Sequence, residues 1–329
     1  MTATRVGLFA ALAVLVTVPL WVPGDYYVGI CSEILIYAIF ALGVDVLIGY
    51  GGLVSLGHAG LFGIACYGVA YSLNAGIAQT VAIFIGLGLA IVGTAAFAAL
   101  SLRVTGIGFI MITLAIGELL WGLAYRWLSV TNGDNGINVP HRPEPFGIAL
   151  DAPSHFYYAT LVVFVLVVAA VRVFVSSPLG ASLKGTRDQP RRMNALGYHV
   201  WLIRFYACMF SGFLTAIAGV LYVYYTQFIS PQTLTLTASA EPVLMVISGG
   251  SGTLLGPIVG AVLVEIVKNI ASAYITRWNM LLGAIFVAIV LFMPEGLVPG
   301  TTRLVRHLLN VRVKAATKVV NPASEEPAP

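Results

Sequence analysis

Apolar runs of about twenty residues recur along this chain, and most of them hold no charged residue. A helix of that length, rising ~1.5 Å per residue, spans the ~30 Å hydrocarbon core of a bilayer. Such runs satisfy their backbone in lipid by coiling into helices. The runs fall at 6–23, 27–48, 53–73, 79–100, 107–125, 156–175, 203–226, 238–250, 253–271 and 279–298. Composition closes off the alternatives. Of 329 residues 59% are hydrophobic and only 9% charged, against roughly 25% charged in a soluble domain. That excludes a soluble enzyme, a disordered chain, a coiled coil and a disulfide scaffold. A membrane β-barrel is excluded as well, because its strands alternate apolar and polar residues. The expected fold class is all-α: a polytopic membrane protein with about ten transmembrane helices, forming one domain over 1–300.

Basic residues set the orientation. With the N-terminus inside and ten crossings, thirteen of the seventeen Lys and Arg fall inside. Arg126, Arg142, Lys268 and Arg277 fall outside. Both termini are then cytoplasmic. Nine crossings would strand the basic tail outside, which favours counting the short 238–250 segment as a span or half-helix. The first run reads as an uncleaved anchor, since no A-x-A site precedes Pro23-Gly24-Asp25 and another apolar run follows at once. Three polar pieces remain: an outer loop 128–155, a charged inner loop 176–202, and a tail 301–329 whose end is expected to be disordered. Gly49-Tyr50-Gly51-Gly52 and Gly249-Gly250-Ser251-Gly252 each separate two spans, which hints at an internal repeat of the kind transporters use.

The chain carries no P-loop, no zinc-protease helix, no nucleophile elbow and no Cys/His cluster. No catalytic site, cofactor or metal is therefore expected, and any ATP hydrolysis must belong to other subunits. Cys31, Cys66 and Cys208 each lie in an apolar run and read as small buried hydrophobes. Ionisable residues inside spans are expensive and mark functional candidates. Here they are Glu33, Asp45, Glu118, Glu241 and Glu265, of which Glu118 is expected to be the most enclosed. Glu265 has a plainer partner in Lys268, three residues on. His58 reads either as an interhelical hydrogen-bonding group or as a pathway residue. Gly256 and Pro257, within a GxxxG spacing, read either as close helix packing or as a break lining the pathway.

The inner loop is the most informative stretch. Pro178-Leu179-Gly180 opens it, Lys184 and Arg187 follow, and Ala195-Leu196-Gly197 closes it. A short helix ending on a glycine cap is expected, and its apolar spacing (Leu183, Met193, Leu196) suits docking against a partner. Arg187 is either an anchor to that partner or a solvated charge.

The loop resembles the coupling loop of ATP-binding cassette (ABC) importer permeases. Ser177, Pro178, Gly180, Arg187, Ala195 and Gly197 follow its S-P-x-G-R…A…G order. The stretch Asp45-Val46-Leu47-Ile48-Gly49-Tyr50-Gly51-Gly52-Leu53-Val54-Ser55-Leu56-Gly57-His58-Ala59 resembles the N-x-x-x-G-x-x-G-x-x-S-x-G-H-A block of LivH and LivM permeases. Thr131-Asn132-Gly133-Asp134-Asn135-Gly136-Ile137 is similar to their outer-loop motif, and Gly249 to Pro257 to their G-G-x-G-T-L-x-G-P block. Length and outer loop suit the LivM type. Three departures stand out: Asp45 replaces the usual Asn, Ala181 stands where the loop often has Arg, and Gln189-Pro190 interrupt the helical run.

The candidate pathway residues remain Asp45, His58, Glu118, Gly256 and Pro257; the resemblance implies a coupling loop bearing Gly180, Arg187, Ala195 and Gly197, with Lys184 beside them. It implies a second LivH-like permease, two ATP-binding subunits and a periplasmic solute-binding protein as partners. The setting is the bacterial inner membrane, with a small substrate and no nucleic acid. Branched-chain amino acids are the implied substrate, with urea, amides or small carboxylates as the alternatives within the family. The competing reading from the residues alone is a stand-alone secondary carrier or channel.

Overall fold

The computed structural model describes residues 15–17, 19, 21, 24–139, 152–274, 278–293 and 296–300. The expected first span 6–23 lies largely outside the described residues, as do 140–151 of the outer loop and the tail 301–329.

The first helix described throughout, α1 (Asp25–Asp45), runs on through a widened π-helical turn, Val46–Tyr50. The chain then stays non-helical through 52–57, and α2 (His58–Asn74) follows. Helices α3 (Gln79–Ser101) and α4 (Ile107–Arg126) form a hairpin that turns at Gly106, where φ is 66°. A short helix, α5 (Leu128–Thr131), leads to a two-residue strand, β1 (Ile137–Asn138). Three helices then start on proline, α6 (Pro153–Ser176), α7 (Pro178–Asp188) and α8 (Pro190–Ala195), because the first turn has no use for the missing N–H. The long α9 (Val200–Thr226) ends at β2 (Phe228–Ile229), which pairs antiparallel with β1, Ile137 opposite Ile229. The described chain closes with α10 (Leu236–Gly249), α11 (Gly256–Tyr274) and α12 (Trp278–Phe292).

The ten-helix expectation is not reproduced among the described residues. Six helices are long and apolar enough to cross a membrane: α1 with its π turn, α3, α4, α6, α9 and α11. The 53–73 run yields a helix only from His58, since 53–57 are non-helical. The 238–250 run is helical as α10, but its 14 residues reach only about 21 Å, short of a ~30 Å core. The architecture is helical, as composition required; the two-residue ribbon is the one strand pairing described.

Burial ranks the helices. In α1 and α9 72% and 61% of the most apolar window is buried, against 22% in α4. The two buried helices pack on each other at the centre, where small residues let backbones close. A side chain on Gly43 of α1 would sit 3.1 Å from the Ser211 carbonyl of α9, and one on Gly219 only 2.6 Å from the Phe62 carbonyl of α2. Because α9 runs the length of the bundle, it separates two ends: one carries α7 and α8, the other the β1–β2 ribbon.

Candidate functional site

At the α7 end, the two glycine-rich breaks flagged in the sequence meet backbone to backbone. Asp45 is fully buried, and its Oδ1 accepts a 2.9 Å hydrogen bond from the Gly252 N–H. A side chain on Gly49 would come within 2.6 Å of the Gly252 Cα. Gly52 and Gly252 both have positive φ, 67° and 75°, a region that strains residues with a Cβ. The chain reverses here twice, once between α1 and α2 and once between α10 and α11, and the two reversals are pinned together by one carboxylate. Thr253 Oγ1 accepts from Gly256 N–H at 3.0 Å and donates to the Gly250 carbonyl at 2.8 Å, fixing the start of α11. Pro257 is the second residue of that helix, where a proline costs no hydrogen bond.

Onto this junction α7 lays its last basic residue. Arg187 Nη1 donates to the Gly49 carbonyl, and its Cγ lies 2.8 Å from where a Gly52 side chain would begin. Ser177 caps α7, its Oγ accepting from Gly180 N–H at 3.2 Å. Gly180 is forced by the tight entry from α6: a Cβ there would lie 2.7 Å from the Val175 carbonyl. Leu183 is fully buried under the helix, and the Lys184 ammonium sits 5.2 Å from the Tyr50 ring centroid. Helix α7 is therefore seated by four neighbouring contacts on its own bundle.

The glycine end expected for the loop is present in detail. Gly197 has φ 85°, its N–H bonds the Asn194 carbonyl at 3.0 Å, and Tyr198 N–H bonds Met193 at 3.1 Å. This paired return is the Schellman motif. Gln189 breaks the helical stretch into α7 and α8 because Pro190 restarts it. Ala195, Leu196 and Tyr198 are exposed beyond it.

Deeper in the bundle His58 occupies the start of α2. Its Nε2 lies 2.9 Å from Ser211 Oγ, which donates to the Gly43 carbonyl at 2.6 Å, and its Nδ1 lies 2.9 Å from Ser55 Oγ. Since Ser211 spends its proton on Gly43, Nε2 must be the donating nitrogen and Ser55 then donates to Nδ1. A neutral imidazole satisfies the whole chain of bonds. Thr113 Oγ1 receives Leu56 N–H and Ser239 Oγ receives Ala59 N–H, at 3.3 and 3.2 Å. The non-helical backbone of 52–57 is thus paired by Thr113 of α4, by Ser55 within the segment and by the Ile48 and Leu47 carbonyls, while α9 and α10 bond the first residues of α2.

Several sequence expectations change. His58, Gly256 and Pro257 are buried, in close packing or hydrogen bonding: a Gly256 side chain would meet the Gly250 backbone at 2.9 Å. Glu118, expected to be the most enclosed carboxylate, is exposed on the outer face of α4. Helical phase decides this, because Thr113 and Gly117 take the inward face of α4. Arg187 bonds the Gly49 carbonyl of its own chain and keeps 49% of its side chain exposed. Glu33, Glu241 and Glu265, dispersed in sequence, all gather around Lys268. No group of His, Cys, Asp or Glu able to hold a metal occurs among the described residues. The outer-loop motif is structural: Asn132 and Gly133 take positive φ, 58° each, and turn the chain into β1.

A sequence profile of the family described as "Branched-chain amino acid transport system / permease component" matches residues 26–290. The chain belongs to this family. The permease is 28% identical to the high-affinity branched-chain amino acid transport system permease protein LivM of Escherichia coli, and 27% identical to that of Salmonella typhimurium. Each match covers 83% of this chain and 70% of the relative. It is also 29% identical to the autoinducer 2 import system permease protein LsrC of Photorhabdus laumondii, over 39% of this chain and 41% of that one. No solved structure matches it. The permease is thus a transport subunit of the membrane, and its glycine junction falls within the matched region.

Proposed function

We propose that this permease is the LivM-like subunit of an ABC importer and forms half of the pathway for branched-chain amino acids. A second LivH-like permease supplies the other half, two ATP-binding subunits drive it, and a periplasmic protein delivers substrate. Family membership over 26–290 carries the reading, and the relatives named for branched-chain amino acids support the substrate. The α7 end faces the cytoplasm, since it gathers Lys184, Arg187, Arg191 and Arg192.

The geometry suggests how drive reaches the pathway. An ATP-binding subunit docks on α7, α8 and the exposed Leu196, Tyr198 and Trp201. A push on α7 moves Arg187, which is bonded to the break between α1 and α2 and lies beside the break between α10 and α11. Both reversals then shift together, and they close the cytoplasmic end. Glu118 faces away from its own bundle, so it lines the seam with the second permease.

The test is co-expression with a LivH-like permease and two ATP-binding subunits, followed by ATP-driven leucine uptake in proteoliposomes supplied with the binding protein. Glu118→Ala is expected to reduce uptake severalfold while leaving co-purification intact. Uptake that persists without ATP under an ion gradient would refute the importer reading. A cysteine at Ser182 that is labelled from the periplasmic side, in a chain cleared of its native cysteines, would refute the orientation.

A further inference from the structure

At the ribbon end of the bundle a cavity of about 260 Å³ opens beside the one lysine of α11. Its walls include Tyr37, Tyr222, Gln232, Thr237, Glu241 and Lys268. Around the Lys268 ammonium stand three carboxylates from three helices: Glu265 Oε1 at 3.4 Å, Glu33 Oε1 at 3.6 Å and Glu241 Oε2 at 4.0 Å. The Tyr37 ring centroid lies 4.7 Å from the same ammonium, and Tyr222 meets Tyr37 edge-on at 6.1 Å.

We propose that Glu241, Glu33 and the tyrosine pair form a binding station for a small ligand bearing a primary ammonium group. The identification of that ligand with a transported α-amino acid rests on the importer reading; the ammonium site itself does not.

Charge balance is the first argument. One cation faces three carboxylates inside helices of a membrane domain, where unmatched charge is expensive. A closed structural pair would match one to one. This cluster is neither matched nor closed, for Lys268, Glu33 and Glu241 keep 22%, 18% and 20% of their side-chain surface open. Glu265 Oε2, in contrast, is fully enclosed and has no hydrogen-bond partner. The open part of the cluster, Glu33 and Glu241, is therefore short of positive charge.

An ammonium brings that charge, with three N–H groups. Aromatic faces beside carboxylates are the surroundings that suit such a cation. Pro242 adds an acceptor: it lies inside α10 and has no N–H to return to the Ala238 carbonyl, and Ala238 lines the cavity. The volume, about 260 Å³, leaves room for a small amino acid.

The probe is radiolabelled isoamylamine, an ammonium without a carboxylate, bound at millimolar concentration to the full chain in lipid nanodiscs, with empty nanodiscs subtracted. Saturable binding is expected, displaced by L-leucine and not by 4-methylpentanoate, the carboxylate without the ammonium. Glu241→Gln should weaken it about tenfold, the loss of one charge-assisted contact, with the melting temperature read alongside. The choice between amine and carboxylate is made by the parent chain alone, so it survives a variant that fails to fold. Isoamylamine binding that leucine does not displace would keep the ammonium station and remove the amino-acid reading. No saturable isoamylamine binding, displacement by 4-methylpentanoate, or equal binding by a folded Glu241→Gln chain would overturn the proposal.

Discussion

Replacing Arg187 by Met tests the junction at its most exposed contact. Met keeps the aliphatic stem that lies over Gly52 and removes the donor to the Gly49 carbonyl. A hydrogen bond from a charged group contributes about 1.5–3 kcal/mol. The Arg187 side chain is 49% exposed, so solvent screening places the loss near the low end, about 1.5 kcal/mol. That is about a tenfold shift in the balance between a seated and a released α7. Amide hydrogen exchange followed by mass spectrometry reads it directly. Peptides covering 46–57 and 250–256 should exchange about ten times faster in Arg187→Met, while the centre of α9 stays at the parent rate. Arg187→Lys, with a shorter donor, should fall between the two. If both glycine breaks in Arg187→Met exchange at the parent rate, Arg187 does not hold the junction. The proposed route from the ATP-binding subunits to the pathway then fails.

Gly260→Ala should prevent assembly of the α10–α11 pair, because the added Cβ would lie 2.7 Å from the Met245 carbonyl carbon and 3.1 Å from its Cα; the check is loss of a monodisperse peak on detergent chromatography. Gly197→Val meets no atom within 4 Å, so it should insert normally and lose only the helix end, about 1 kcal/mol or more for positive φ, seen as weaker pull-down of the ATP-binding subunits with unchanged membrane yield. His58→Ala strands the hydroxyl partners at Ser55 and Ser211 and should cost about 1–3 kcal/mol, read as a lower melting temperature with the leucine concentration for half-maximal uptake unchanged.

Much of this protein was legible before any coordinates. Uninterrupted apolar length requires helices in a bilayer, and the glycine blocks at 49–52 and 249–252 announce where helices stop. The order Ser177-Pro178, Gly180, Gly197 announces a capped helical loop, because caps and positive-φ positions are local properties of a few residues. The span count was less legible. Hydropathy counts apolar residues whether or not they coil, and 53–57 is apolar enough to extend a run yet enters the bundle as irregular chain.

Pairing across the chain lay beyond the sequence. Asp45 and Gly252 are 207 residues apart, and His58 and Ser211 are 153 apart; no periodicity links such positions. Glu118 illustrates the reverse case, since its apolar neighbours suggested enclosure and helical phase put it on the outside. The Lys268 cluster was visible only as an i,i+3 pair with Glu265, while Glu33 and Glu241 arrive on α1 and α10. Local backbone physics is written residue by residue and can be read there. Which buried polar groups share a site depends on how helices cross, and only the folded bundle decides that.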